Sequence, residues 1–204
     1  MDIKEKFKNY ISKKSKLGIA SDIIFAIFII VLLFPQSRME IIAFVNKGKM
    51  LIMQPSVKDG KNTINLADED YQIEFQNLNG QKLDFSSLKG KVIFMNFWAT
   101  WCPPCVAEMP AIQKLYNTFK DDRNVVFLMV SNETPEVIQK FISKKGYNFP
   151  VYINRYKVPD VFSSNSIPVT FVISKSGKLV IREVGAVNWA GEHMKKTMQE
   201  LVGE

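Results

Sequence analysis

VIFMNFWATWCPPCVAE, from Val92 to Glu108, is the stretch whose reading decides the fold. The apolar run from Val92 to Trp98 is too short for a helix and is preceded by Gly90 and Lys91, which predicts a buried strand. Cys102 follows after a short turn, and Cys105 falls in the first turn of an expected helix running from about Cys102 to Lys120. The unpaired N–H groups and positive dipole end of a helix stabilise a thiolate, so a cysteine at this place is expected to be an activated nucleophile. A second cysteine one turn later can attack the first once that one is held in a mixed disulfide. Pro103 suits the first helical position, where a missing N–H costs nothing. Pro104 removes another donor beside the sulfurs, which alters the redox potential in a direction the sequence leaves open.

A C-x-x-C pair can also be half of a zinc site. The chain has only two cysteines and one histidine, so a tetrahedral protein site lacks ligands and no metal is expected. The single histidine, His193, lies far from the cysteines among Glu192, Lys195 and Lys196 and reads as a solvated helix residue. With no second histidine, a Ser-His-Asp arrangement has little support.

The tryptophans Trp98 and Trp101, the CPPC core and the strand, turn and helix that carry them resemble the thioredoxin superfamily. A leading hairpin and an inserted helix and strand bring the resemblance closer to the membrane-anchored thioredoxin-like family that includes the TlpA, ResA and cytochrome c maturation reductases. This resemblance implies an α/β, three-layer thioredoxin-like fold with a central mixed sheet. It implies a redox-active disulfide between Cys102 and Cys105, with no other cofactor. Pro168 would be the cis proline that faces the cysteines, and Ile167 and Trp101 would meet an extended substrate segment. Implied partners are a protein thiol or disulfide substrate, apocytochrome c among the candidates, and a transmembrane electron donor of the thiol-transporter type.

Thioredoxins proper keep a buried carboxylate six residues before the first cysteine, where this chain has Asn96, an amide that exchanges no proton at ordinary pH. The reductases carry an acid three residues after the second cysteine, and Glu108 occupies that place. Cys105 and Glu108 share a helix face one turn apart, whereas Cys102 and Glu108 are about 120 degrees and about 9 Å of rise apart. Glu108 is therefore expected to couple to Cys105. The alternative is a solvent-facing carboxylate favoured by the helix N-terminal half.

The rest of the chain supplies an appendage and a frame. At 204 residues and 47% hydrophobic content, it can hold one domain and a smaller element. The net charge of +7 is concentrated in six lysines between Lys4 and Lys16, with no basic stripe of the kind nucleic acid needs. Residues 17–34 are mostly apolar and near the minimum for a membrane span. A cleavable signal peptide would have a shorter apolar run followed by small residues, and here Pro35, Gln36, Ser37 and Arg38 follow. An uncleaved single-pass anchor is expected. The lysines before it place residues 1–16 in the cytoplasm and the C-terminal domain in the periplasm or another extracytoplasmic space of a bacterial inner membrane. Disulfides form in that compartment. Asp22 inside the span reads as an acid able to reach the interface.

Residues 39–53 are apolar but broken, and read either as an interfacial segment or as a strand or helix packed on the domain. Residues 35–70 as a whole are expected to be a juxtamembrane segment and linker, and 71–204 the thioredoxin-like domain. Tyr71, Ile73 and Phe75 alternate with polar residues, Asn79-Gly80 marks a hairpin turn, and Leu83 and Phe85 continue the alternation on the return strand. Beyond the active-site helix the pattern predicts a strand from Val125 to Val130, then a helix opened by Thr134 and Pro135 and ended by Gly146. A strand from Phe149 to Ile153 and a short helix or turn from Val158 to Ser164 come next. The chain closes with an apolar strand entered through Pro168, a return strand from Leu179 to Glu183 and a last helix from about Trp189 to Val202. Two other functions suit such a chain: a copper-handling chaperone on the same fold, for which the histidine is badly placed, and a thiol oxidant.

Overall fold

The computed structural model describes residues 14–33, 53–56 and 63–204, and these fall in two separate units. The first contains helix α1, Lys16–Leu33, whose eighteen residues rise about 27 Å. Its side chains from Ile23 to Ile30 are largely exposed, and Asp22 accepts a hydrogen bond from Lys14 Nζ at 2.6 Å. Among the described residues no helix is long and apolar enough to cross a membrane. Phe34, the tail before Lys14 and all of 39–52 lie outside the described residues, so the expectations placed on them do too.

The second unit is built on an eight-stranded mixed sheet. Its strands are β1 (Ile64–Asn65), β2 (Glu74–Asn77), β3 (Lys82–Asp84), β4 (Val92–Phe97), β5 (Val125–Ser131), β6 (Val151–Ile153), β7 (Val169–Ile173) and β8 (Lys178–Val184). Their order across the sheet is β1-β8-β7-β4-β5-β6-β2-β3. The parallel trio β4, β5 and β6 is linked by α2 (Pro103–Phe119) and α3 (Pro135–Lys145), and α4 (Glu192–Gly203) closes the chain. Strand β4 lies inside the sheet, parallel to β5 and antiparallel to β7. That central place explains its near-continuous burial from Val92 to Asn96, since a strand covered on both faces needs no polar alternation.

Alternate residues of β4 enter two cores. Val92 and Phe94 pack with Met109, Ile112 and Leu115 of α2, Ile138 of α3 and Met194 and Met198 of α4. Ile93 and Met95 face the other way, toward Tyr71, Phe75, Phe85 and Phe162. This second face is covered by an outer layer of its own. It is made by short 3-10 turns at Asp68–Tyr71, Phe85–Leu88 and Asp160–Phe162 and by a chain of edge-to-face rings linking Phe75, Phe85, Phe162 and Phe171. Such ring pairs contribute about 0.5–1.5 kcal/mol each beyond area burial.

Three local expectations are corrected. Phe85 is not on the return strand but begins a 3-10 turn, whose N-cap Asp84 accepts the Ser86 N–H at 2.9 Å. Within the expected linker, the described residues 54–56 and 63–70 are tied to the domain: β1 pairs with β8, Met53 next to them accepts a bond from Asn188 N–H, and Ser56 N–H donates to Glu183. Trp189 precedes the last helix, which starts at Glu192. Elsewhere local signals match the coordinates: α3 starts at Pro135 after its N-cap Thr134, and Gly146 ends it at φ 70. That left-handed conformation suits glycine best, since it has no Cβ to strain. Gly146→Ala is expected to lower stability by about 1 kcal/mol in denaturant titration, with an unchanged slope.

Candidate active site

Cys102 is the N-cap of α2, and Pro103 and Pro104 fill the first helical positions. The structure holds a Cys102–Cys105 disulfide with Cα atoms 5.3 Å apart. Cys105 N–H donates to Cys102 Sγ at 3.3 Å, so the helix end presents a backbone donor to that sulfur. Both residues are buried, Cys102 with 3% of its surface exposed and Cys105 with none. At the residue level the two therefore differ little in access.

Two loops frame the sulfurs. Ile167 and Pro168 are joined by a cis peptide bond, and the Ile167 carbonyl oxygen lies 3.7 Å from Cys102 Sγ. Trp101 stands beside them, 64% exposed and with no core to hold it. A groove of about 800 Å³ opens here, lined by Trp101, Ile167, Tyr156, Arg155 and Lys157 among others. The turn before Cys102 is pinned from the neighbouring β5–α3 connection, where Glu133 accepts Thr100 N–H at 2.6 Å and Thr100 Oγ1–H at 2.7 Å. Glu133 had no sequence signal, since it lies 33 residues from its partner.

Behind the cysteines, Glu108 is fully buried, and the solvent-facing alternative is ruled out. Asn96 Nδ2 donates to one of its oxygens at 2.8 Å and Trp189 Nε1 to the other at 2.9 Å. Burial pushes its pKa up to about 8, against the donors Trp189, Asn96 and the Val187 N–H, which favour the ionised form. An acid so placed holds its proton near neutrality and can exchange it with a group titrating in the same range. Asn96, one side of the β4–β7 ladder, sits directly opposite Thr170 and also donates to Thr170 Oγ1 at 2.8 Å. The amide that replaces the carboxylate of thioredoxins proper is therefore the holder of Glu108. Neither Thr170 nor Trp189 stood out in the sequence, because each reaches Glu108 or Asn96 only through the fold. His193 is exposed on α4. Among the described residues no group of three or more His, Cys, Asp or Glu side chains is placed to hold a metal ion.

A mixed sheet that delivers a C-x-x-C pair to a helix N-terminus, opposite a proline loop, defines a thioredoxin-like thiol-disulfide oxidoreductase. Residues 67–182 match the family model described as the AhpC/TSA family, and the chain belongs to that family, in its TlpA/ResA-like part. The chain is 31% identical over 144 residues to the thiol-disulfide oxidoreductase ResA of Halalkalibacterium halodurans, covering 70% of this chain and 76% of that protein. It is 33% identical over 146 residues to ResA of Bacillus subtilis, covering 67% and 82%. Among solved structures, a thiol:disulfide interchange protein of the thioredoxin family from Chlorobium tepidum superposes with a TM-score of 0.55 at 27% identity, over 64% of this chain and 92% of that one. StoA from Bacillus subtilis shares the fold with a TM-score of 0.50 at 19% identity, over 74% and 98%.

Proposed function

We propose that this oxidoreductase reduces disulfides of protein substrates outside the cytoplasm through the Cys102–Cys105 pair. The observation that carries the reading is the pair itself: one sulfur capped by the α2 backbone and set against the Ile167 carbonyl, the other fully buried three residues further along the helix that also carries buried Glu108. In the reduced protein, the Cys102 thiolate attacks a substrate disulfide. A Cys102–substrate bond forms, and one substrate sulfur leaves as a thiolate that takes a proton from solvent. Cys105, giving its proton to Glu108 in its ionised form, then attacks the Cys102 sulfur, the Cys102–substrate bond breaks, and the second substrate sulfur departs as a thiolate that takes a proton from solvent. Two electrons have moved to the substrate, and the Cys102–Cys105 disulfide remains.

The open groove and the exposed Trp101 at its edge suit an extended polypeptide better than a small disulfide. Clients in cytochrome c maturation, apocytochrome c among them, agree with the ResA resemblance. Because the outer compartment oxidises thiols, the dithiol needs electrons from a thiol transporter in the membrane. The N-terminal segment serves as a single-pass anchor in the bacterial inner membrane, with the lysine-rich end in the cytoplasm and the domain outside. This reading rests on the apolar run 17–34, whose final residue lies outside the described residues.

The test is turnover of an insulin disulfide assay with dithiothreitol as electron source. Wild-type chain is expected to accelerate it, and Cys102→Ala to be inactive while folding normally. Acceleration that survives Cys102→Ala would overturn the proposal. Trp101→Ala, at an exposed position, is expected to leave stability within about 0.5 kcal/mol. The same variant should raise KM for a protein disulfide several-fold, with little change for a small one such as hydroxyethyl disulfide.

A further inference from the structure

The Glu108 site contains one polar atom that its described partners do not satisfy. Asn96 Oδ1 is buried with no hydrogen-bond partner, although Nδ2 of the same amide serves both Glu108 and Thr170. The groups around the carboxyl are all donors: Asn96 Nδ2, Trp189 Nε1 and the Val187 N–H. That set fits a carboxylate, which only accepts. A carboxylic acid brings an O–H that needs an acceptor, and the donor set offers none.

Counting partners for each orientation of the amide separates the two states. With Glu108 ionised and Nδ2 turned toward it, Oδ1 alone is unsatisfied. With Glu108 protonated and the amide unmoved, both Oδ1 and the new O–H are unsatisfied. Turning the amide over gives Oδ1 to the Glu108 O–H and to the Thr170 hydroxyl, and leaves only Nδ2 without a partner. Turning it while Glu108 is ionised would set oxygen against oxygen. Since buried unpaired polar groups are costly, each protonation state selects its own orientation.

We infer that Asn96 is a positioning residue whose side-chain amide turns over with the proton on Glu108, showing Nδ2 to the carboxylate and Oδ1 to the acid. The position occupied by a proton carrier in thioredoxins proper then holds a group that carries no proton itself but accommodates the carrier in both forms. The charged group acting on Glu108 is Glu183 from β8, whose like charge acts in the same direction as burial, while Cys105, one turn earlier on α2, is held in the disulfide and does not titrate in the oxidised chain. Asn96 from β4, Thr170 from β7 and Trp189 before α4 are neutral.

The inference rests on Glu108 being the group that takes the proton of Cys105, but its test requires no turnover. In the full-length oxidised chain, labelled with carbon-13 and nitrogen-15, the Glu108 carboxyl carbon reports its protonation. Nuclear Overhauser contacts from the Asn96 amide protons to the Thr170 side chain report the amide orientation. Those contacts are expected to be strong above the Glu108 midpoint and several-fold weaker below it, with the same midpoint. In Glu108→Gln, which has no proton to gain, they are expected not to change with pH. Contacts of equal strength on both sides of the wild-type midpoint, or contacts that still change in Glu108→Gln, would overturn the inference. Failure of the insulin assay alone would instead remove the proposed function.

Discussion

Cys105→Ser is expected to turn the protein into a trap. Cys102 can still open a substrate disulfide, but no sulfur remains to release it, so covalent complexes accumulate and disappear on a non-reducing gel when dithiothreitol is added. Turnover should fall roughly a thousandfold or more, as when one member of a catalytic unit is removed. The helix geometry gives the reason: Cys102 is the capping residue facing the Ile167 loop, and Cys105 sits inside the first turn with no exposed surface. If Cys102→Ser formed the complexes and Cys105→Ser did not, the two roles would be reversed. Complexes trapped in the native host would also identify the client and the electron donor.

Glu108→Gln carries the second large effect, and it acts on both rate and stability. Loss of the proton acceptor should slow release of substrate from the mixed disulfide by about a hundredfold or more, while leaving the initial attack by Cys102 nearly unchanged. Rapid-mixing experiments that follow the two steps separately would show this split. On stability, the folded protein holds the Glu108 proton up to about pH 8, while the unfolded chain releases it near the ordinary value of 4.5. Burial is the cause, and the folded state binds more protons than the unfolded state between those values. The acid's contribution is therefore complete below the unfolded pKa and is lost as pH rises toward the folded one, with a limiting slope of about 1.4 kcal/mol per pH unit. Wild type should weaken relative to Glu108→Gln across that window, measured by urea denaturation at several pH values. Parallel stability curves would mean that Glu108 is ionised throughout.

What the sequence showed was carried by short-range signals. The apolar run Val92 to Trp98, the Cys-Pro-Pro-Cys cap, the Thr134-Pro135 opening and the Gly146 stop each lie within one element or its end, where propensity and capping act directly. Asn79-Gly80 marked a hairpin for the same reason, and Gly80 does take a positive φ of 84. Features set by distant chain segments were not legible. Strand β1 is two exposed residues with no pattern of their own, and it exists only because β8 offers an edge. The second face of the sheet is closed by aromatic side chains on 3-10 turns, and nothing in the spacing of Tyr71, Phe85 and Phe162 distinguishes that from strands or a helix.

The site divides along the same line. Cys102, Cys105 and Glu108 belong to a single helix, so their relation could be worked out from 3.6 residues per turn. The burial of Glu108 could not, because it is created by β4, β7 and the loop before α4. Trp189 illustrates the difficulty: its donor reaches a carboxylate 81 residues earlier in the chain. Asn96 looked like the loss of a proton carrier, and the fold gives it another task by placing it across from Thr170 and beneath Glu108.

The central claim is that Cys102 is the sulfur that meets substrate and Cys105 the one that resolves it. Competitive alkylation of the reduced protein with less than one equivalent of iodoacetamide at neutral pH, followed by peptide mass spectrometry, tests this most directly. The account predicts label on Cys102 in at least tenfold excess over Cys105. Equal labelling, or label chiefly on Cys105, would contradict it.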